Sequence, residues 1–429
     1  MSEAPGDGGA TGGSAKDPKA GYERRRPRFV RPQVLRNLTP EQRSEERTST
    51  PLELFFDLCF VVAVAALARG LHDEPNLGGV LRFLGLFVPV WWSWMIFTWY
   101  ATGFDNDDVP YRVTLLAAML SMLGLAASVG EVGVEPGAAV SFVLSYALMR
   151  VLMTGLYVRA WRHVPVSLRP FVVLYATGNA LGAAVWLSSL LVPGPGRYAV
   201  WAVGLFVELL GPILAVRTLS NPRVSFHPRH IPERYGLFTI IVLGESVLAV
   251  AVGTADTNWE PSAVLTAAFG FVVAACIWWL YFDHVGSSGI ELGPRPAFYW
   301  GYGHFAVYAG IAAFGVGTQL AIEAAAEADV ALAATTPAGG YDLGARLVLA
   351  GGVALYLAGI AFVDRVNEGV AGNRAILVRL ATAALLAVLA ILCASLPPPA
   401  FVALVTLAVL ALTVLETVRE DPSSSLGGT

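Results

Sequence analysis

Tyr235-Gly-Leu-Phe-Thr-Ile-Ile-Val-Leu-Gly-Glu-Ser-Val-Leu-Ala-Val-Ala-Val252 is an apolar run with one carboxylate, Glu245, near its centre. The run has the length of a membrane-spanning helix, about 20 residues. An ionised carboxylate at the middle of a bilayer costs roughly 2.5–3.5 kcal/mol on insertion scales. Such a group has to face a partner or a water-filled cavity. The run therefore predicts a polytopic membrane protein with a polar interior.

The rest of the chain agrees with this. Of its 429 residues, 55% are hydrophobic and only 14% are charged. A soluble domain carries about 25% charged residues. Twelve apolar runs, from 51–71 through 399–418, are each long enough to cross a hydrocarbon core about 30 Å thick. Backbone groups in lipid must bond within their own segment, so each run is expected to be an α-helix. The fold class is all-α.

The basic residues give a sidedness. Ten of the 28 Lys and Arg lie in residues 1–48, whereas Arg69, Arg82, Arg197 and Arg346 are alone on the opposite side. Cytoplasmic loops carry the Lys/Arg excess, so both termini are expected in the cytoplasm of a plasma-membrane protein. Residues 1–48 are expected to be a disordered tail, not a cleavable signal peptide. Arg24 to Arg47 would attract anionic lipids, while nucleic acid is not an expected partner. The expected organisation is a first membrane half over 49–218, a cytoplasmic linker over 219–234, a second half over 235–418 and a short tail over 419–429.

The two halves look alike. Trp91-Trp92-Ser-Trp94 in the second run matches Trp278-Trp279-Leu-Tyr281 in the eighth, and Phe55-Phe56-Asp57 overlays Leu237-Phe238-Thr239. Six helices per half would make the halves parallel repeats about an axis along the membrane normal.

Two stretches carry a family resemblance. Arg47-Thr-Ser-Thr-Pro-Leu-Glu-Leu-Phe-Phe-Asp-Leu-Cys-Phe-Val-Val-Ala-Val64 resembles the opening helix of the bacterial low temperature requirement A family, with its Pro-Leu-Glu-Leu-Phe-Phe-Asp-Leu-x-Phe pattern. Glu233-Arg-Tyr-Gly-Leu-Phe-Thr-Ile-Ile-Val-Leu-Gly-Glu-Ser246 resembles the second family signature, with Tyr235 in place of a common Phe. The resemblance spans about residues 50 to 418. It implies a multi-pass bacterial membrane protein and brings no established substrate with it. The Arg-rich tail and an acidic loop after the ninth run (Glu323, Glu327, Asp329, Asp342) look like additions.

Six residues are candidates for a substrate or ion site. Glu53 and Asp57 are four apart and share a helix face. Glu53 either caps the helix after Thr50-Pro51 or joins Asp57 in holding a proton or cation. Arg150, Glu208 and Glu245 fall at mid-depth of their runs. Arg150 reads as counter-ion to one of the acids, in a structural or a functional pair. Gly244 would let another helix approach, and Ser246 could hydrogen-bond Glu245. One mid-depth base against Asp57, Glu208 and Glu245 leaves at least one acid protonated, cation-bound or water-facing.

Other features read as packing or solvated loops. Asp105, Asp107, Asp108, Asp283 and Asp364 read as loop charges, His227 and His230 do not have metal-ligand spacing, and His304 reads as a packing histidine. The tryptophan run reads as packing and an interface belt. Cys59, Cys276 and Cys393 have no metal or redox spacing, and no phosphate loop, dinucleotide fingerprint or HExxH occurs. No cofactor or metal is expected. The first functional expectation is an ion-coupled secondary transporter for an unknown small solute, with a site built from Asp57, Glu245 and Glu208 and balanced by Arg150. The alternatives are a membrane-embedded enzyme acting on a lipid-linked substrate, and a non-catalytic membrane sensor or scaffold.

Overall fold

A computed structural model describes residues 33–34, 49–218, 230–284, 294–334, 341–366 and 373–419. The expectations for the Arg-rich tail, His227, most of the linker and the end of the C-terminal tail fall outside these residues. Among the described residues, twelve helices are long and apolar enough to cross a membrane. They are α1 (Pro51–Asp73), α2 (Leu77–Gly103), α3 (Val109–Val129), α4 (Pro136–Trp161), α5 (Arg169–Ser188), α6 (Gly196–Thr218), α7 (His230–Asp256), α8 (Pro261–His284), α9 (Pro294–Ala334), α10 (Leu343–Val366), α11 (Asn373–Leu392) and α12 (Pro398–Arg419). The chain is thus a multi-pass membrane protein of all-α class. We call the face where α1 begins the near face and the opposite one the far face. One short extended pair lies outside the helices, with Gln33–Val34 antiparallel to Phe104–Asp105 at the end of α2.

Local sequence explains where helices start. Thr50 and Glu53 form a reciprocal capping box ahead of Pro51, and Asn76 and Asp108 cap α2 and α3 through their side chains. Proline opens or nearly opens α1, α3, α4, α5, α8, α9 and α12, where its missing N–H is not needed.

α9 changes the expected loop into helix. It runs for 41 residues, about 60 Å, roughly twice the hydrocarbon thickness. Glu323, Glu327 and Asp329 therefore lie on its far extension. Asp329 accepts from the backbone N–H and the hydroxyl of Ser262 at 3.1 and 2.7 Å, capping α8, and Asp342 caps α10 by accepting from the Ala345 N–H at 2.7 Å. Asp329 and Asp342 are thus helix caps, Glu323 pairs with His72 of α1, and Glu327 stands exposed on the helix, so the acids do not form a free loop.

A large hydrophobic core runs through the bundle, with a small second cluster between α8 and α9, and α2, α9 and α10 are most deeply buried. α9 and α10 touch backbone to backbone: a Cβ built on Gly352 would stand 2.5 Å from the Phe314 nitrogen, and one on Gly310 2.5 Å from the Tyr356 nitrogen. Small residues at such crossings let helices pack closely in lipid. α11 lies at the edge, with Leu377, Leu380, Leu385, Val388 and Ile391 exposed as a lipid-facing stripe.

Part of the neighbour order recurs in both halves, although α8 packs on α9 and α12 with no counterpart for α2. α1 packs on α2 and α3 as α7 packs on α8 and α9, and each half continues as a chain of adjacent helices. The halves also differ. α9 packs on α1 and α2, and α3 makes no comparable contact with α7 or α8. Trp91, Trp92 and Trp94 are buried, whereas Trp278 and Trp279 are 47% and 45% exposed. The parallel 6+6 repeat is a proposal that rests on neighbour order, because the two aromatic runs do different work.

Candidate functional site

The six candidate residues fall into three separate places. The first is a clamp at the near ends of α1 and α7. Arg234, one turn into α7, reaches Asp57 at 2.5 Å and Glu53 at 3.3 Å. Trp94 on α2 donates its indole N–H to the same Asp57 oxygen at 2.8 Å, and His230 lies 3.6 Å from Glu53. Glu53 also accepts from the Thr50 N–H at 2.8 Å, so it caps α1 and pairs with α7 at once. The side chains of Glu53, Asp57, His230 and Arg234 are all buried. The Tyr235 hydroxyl accepts from the Trp99 indole at 3.0 Å, and the Trp94 ring stacks on Phe238 at 4.4 Å. The two signature stretches of the sequence thus meet each other here.

The second place joins α2, α4 and α6. Arg150 approaches Glu208 with its Nε at 3.5 Å, lies over the Tyr146 ring and donates to the Ser93 hydroxyl. Ser93 in turn donates to the Pro89 carbonyl at 2.8 Å. Glu208 accepts from the Tyr146 hydroxyl at 2.7 Å and the Trp92 indole at 2.8 Å. Arg150 and Glu208 are both fully buried. Three consecutive residues of α2 therefore serve both places: Trp92 and Ser93 turn toward α4 and α6, and Trp94 turns toward α1 and α7. An apolar cavity of about 560 Å³ lies farther along α2, lined by Pro89, Trp186, Trp201 and Leu205.

The third place is a groove of about 380 Å³ along the far halves of α1, α7 and α9. Arg69, His72 and Asp73 line it from α1, Glu245 from α7 and Gln319 from α9. Among the described residues, Glu245 makes no hydrogen bond or ion pair, and Arg69 acts on it electrostatically without direct contact. His72 is held by Glu323 at 2.9 Å, which also accepts from Gln319 at 2.9 Å.

This arrangement corrects several expectations. Asp57, Glu208 and Glu245 do not form one site: Asp57 pairs with Arg234, Glu208 with Arg150, and Glu245 lines the separate groove. Arg150 is not the only deep base: Arg234 is as buried, and Arg379 pairs with Asp364 and, at 2.7 Å, with Glu416. Ser246 does not donate to Glu245. It donates to the Ile311 carbonyl at 2.9 Å and packs against Gly315 of α9. Gly244 is exposed and meets no neighbour, so Gly315 provides the close approach instead. Asp108 is buried and paired with Arg159, not solvated. His304 is buried, with its Nδ1 at 2.8 Å from the Trp300 carbonyl and its Nε2 at 3.1 Å from the Tyr281 hydroxyl.

The sequence reading missed Arg234 because it stands just outside the apolar run and counts there as a loop charge. A signal was present, since Arg234 is the one base of the second signature stretch and Glu53 and Asp57 are the acids of the first. It missed Trp92 and Trp94 as donors because an indole N–H declares no partner in sequence. Trp92→Phe removes one donor to Glu208. It is expected to destabilise the protein by about 1–3 kcal/mol, as for a buried acceptor that loses a partner. A lower thermal unfolding midpoint in detergent would bear this out, and an unchanged one would show the bond contributes nothing.

The clamp and the Arg150–Glu208 pair are buried ion pairs that hold helices together, although among the described residues Asp57 Oδ2, Glu208 Oε1 and Arg150 Nη1 keep no hydrogen-bond partner. The groove is different, since its carboxylate is free to take a proton or a cation. Comparison with known proteins agrees with the signature stretches. The family model described as bacterial low temperature requirement A protein (LtrA) matches residues 48–413. The chain is also 28% identical over 350 residues to an uncharacterized protein of Rhizobium meliloti (strain 1021), covering 78% of this chain and 81% of that one. With both signatures joined in one clamp and the family match running through nearly all twelve helices, the chain belongs to the bacterial low temperature requirement A family.

Proposed function

We propose that the protein is a proton-coupled secondary transporter of the bacterial plasma membrane, with Glu245 as its coupling carboxylate. One observation carries this reading. Of the three intramembrane acids Asp57, Glu208 and Glu245, only Glu245 lines a groove and is without a direct partner among the described residues. A coupling group must exchange its proton with solution, and a carboxylate held in a buried ion pair exchanges poorly. The Arg/Lys bias supports a near face in the cytoplasm, which on this reading gives the groove to the external half. α1 and α7 are clamped at their near ends and parted by the groove at their far ends, which fits a conformation open to the outside.

The test is proton flux into proteoliposomes under an imposed pH gradient, with a panel of solutes, for wild type and Glu245→Gln. Solute-dependent flux in wild type is expected, and its loss in a Glu245→Gln protein that keeps its thermal midpoint. Undiminished flux in Glu245→Gln would refute the assignment. A well-folded wild type that moves no protons with any solute would count against the transporter reading itself.

A further inference from the structure

We infer that the groove binds a zwitterionic solute of amino-acid type, its carboxylate on Arg69 and its ammonium on Glu245. This rests on reading the groove as a transport site and adds the chemical class of its solute. The volume, about 380 Å³, lies at the small end of the range for small-molecule pockets.

The charges select the solute. His72, Asp73 and Glu323 form a cluster of their own, with His72 at 2.9 Å from Glu323 and 3.7 Å from Asp73. Gln319 is committed to Glu323. Two charged groups of the lining are left: Arg69 on α1 and Glu245 on α7, which feel each other but do not reach ion-pairing distance. Among the described residues, neither has a hydrogen bond or ion pair of its own. A guanidinium presents a fork of donors that matches a carboxylate, and a carboxylate accepts from an ammonium. One molecule with both groups satisfies both walls and bridges α1 to α7. A simple anion or cation satisfies one wall and leaves the charge on the other without a partner.

The same geometry couples solute to proton. A protonated Glu245 has no negative charge to pair with an ammonium, so proton and ammonium compete for one carboxylate. Binding to protonated Glu245 releases that proton, and the solute's ammonium takes its place in the pair. Arg69, His72 and Asp73 from α1, with Glu323 behind His72 on α9, are the other titratable or charged groups near this exchange, and α7 places no second acid in the groove.

The experiment is calorimetric binding to the full-length protein in detergent, using the twenty standard α-amino acids, their carboxamides and their N-acetyl derivatives. At least one free amino acid is expected to bind, and both of its blocked forms about tenfold more weakly or worse, the loss of one charged hydrogen-bonded contact. Arg69→Gln should bind a free amino acid and its carboxamide alike. Glu245→Gln should bind the free and N-acetyl forms alike, with no proton released. An N-acetyl form that binds wild type as tightly as the free amino acid overturns the proposal. So does a folded wild type that binds none of the panel. If Glu245-dependent proton flux is then still observed with some other solute, the transporter reading stands and only the zwitterion assignment fails.

Discussion

Replacing Arg234 by methionine is expected to destabilise the protein by about 3–5 kcal/mol, the cost of removing one partner from a buried charge cluster. The arginine is buried and its two carboxylate partners are at 2.5 and 3.3 Å. Without it, Asp57 and Glu53 face each other four residues apart on one helix with no guanidinium between them, and their remaining partners include His230, Thr50 and the Trp94 indole. The measurement is thermal unfolding in detergent, followed by tryptophan fluorescence. Trp94, which donates to Asp57, would report the local change directly. A second variant separates lost attraction from stranded charge. Arg234→Met combined with Asp57→Asn and Glu53→Gln should be more stable than Arg234→Met alone, because no bare carboxylate remains. If the triple variant is no better, the arginine acts through packing instead. An unchanged midpoint in the single variant would show that the clamp does not hold α1 to α7.

The second large effect is steric and has an internal control. Gly351 and Gly352 are adjacent on α10, yet a Cβ on Gly352 would meet the Phe314 nitrogen at 2.5 Å while one on Gly351 meets nothing within 4 Å. Gly352→Ala must push α10 off α9, because the obstacle is backbone and cannot rotate away. Overpacking of this kind typically costs about 1–3 kcal/mol and occasionally more. Gly351→Ala should be neutral or stabilising by up to about 1 kcal/mol, since alanine favours helix over glycine. Unfolding midpoints of the two variants, measured side by side, decide it. Equal midpoints would mean that the α9–α10 contact is looser than its backbone distances indicate.

Much of this was legible in the chain and some was not, for reasons that particular residues make clear. Thr50, Pro51 and Glu53 announce a helix start, and the structure has the capping box there. Glu53 was readable as a cap because its partner is three residues away. It was not readable as a partner of Arg234, which is 181 positions later and whose place depends on how α1 and α7 rotate against each other. Ser246 shows the same limit. Its neighbour Glu245 is the obvious partner in sequence, but successive residues on a helix point about 100° apart, and the hydroxyl meets the Ile311 carbonyl of α9 instead.

Composition and periodicity alone determined that this is an all-α membrane protein with twelve spans, because lipid forces each span to be apolar and to satisfy its own backbone. The two signature stretches determined its family. Only the tertiary structure decided how the charges are divided. Arg234 closes on Asp57 and Glu53, Arg150 closes on Glu208, and Glu245 is left facing Arg69 across a groove. That division follows from helix rotation and tilt, which the packing of α2 and α9 sets across the whole bundle. A pairing of side chains from distant helices has no local energetic trace, so no window of sequence records it.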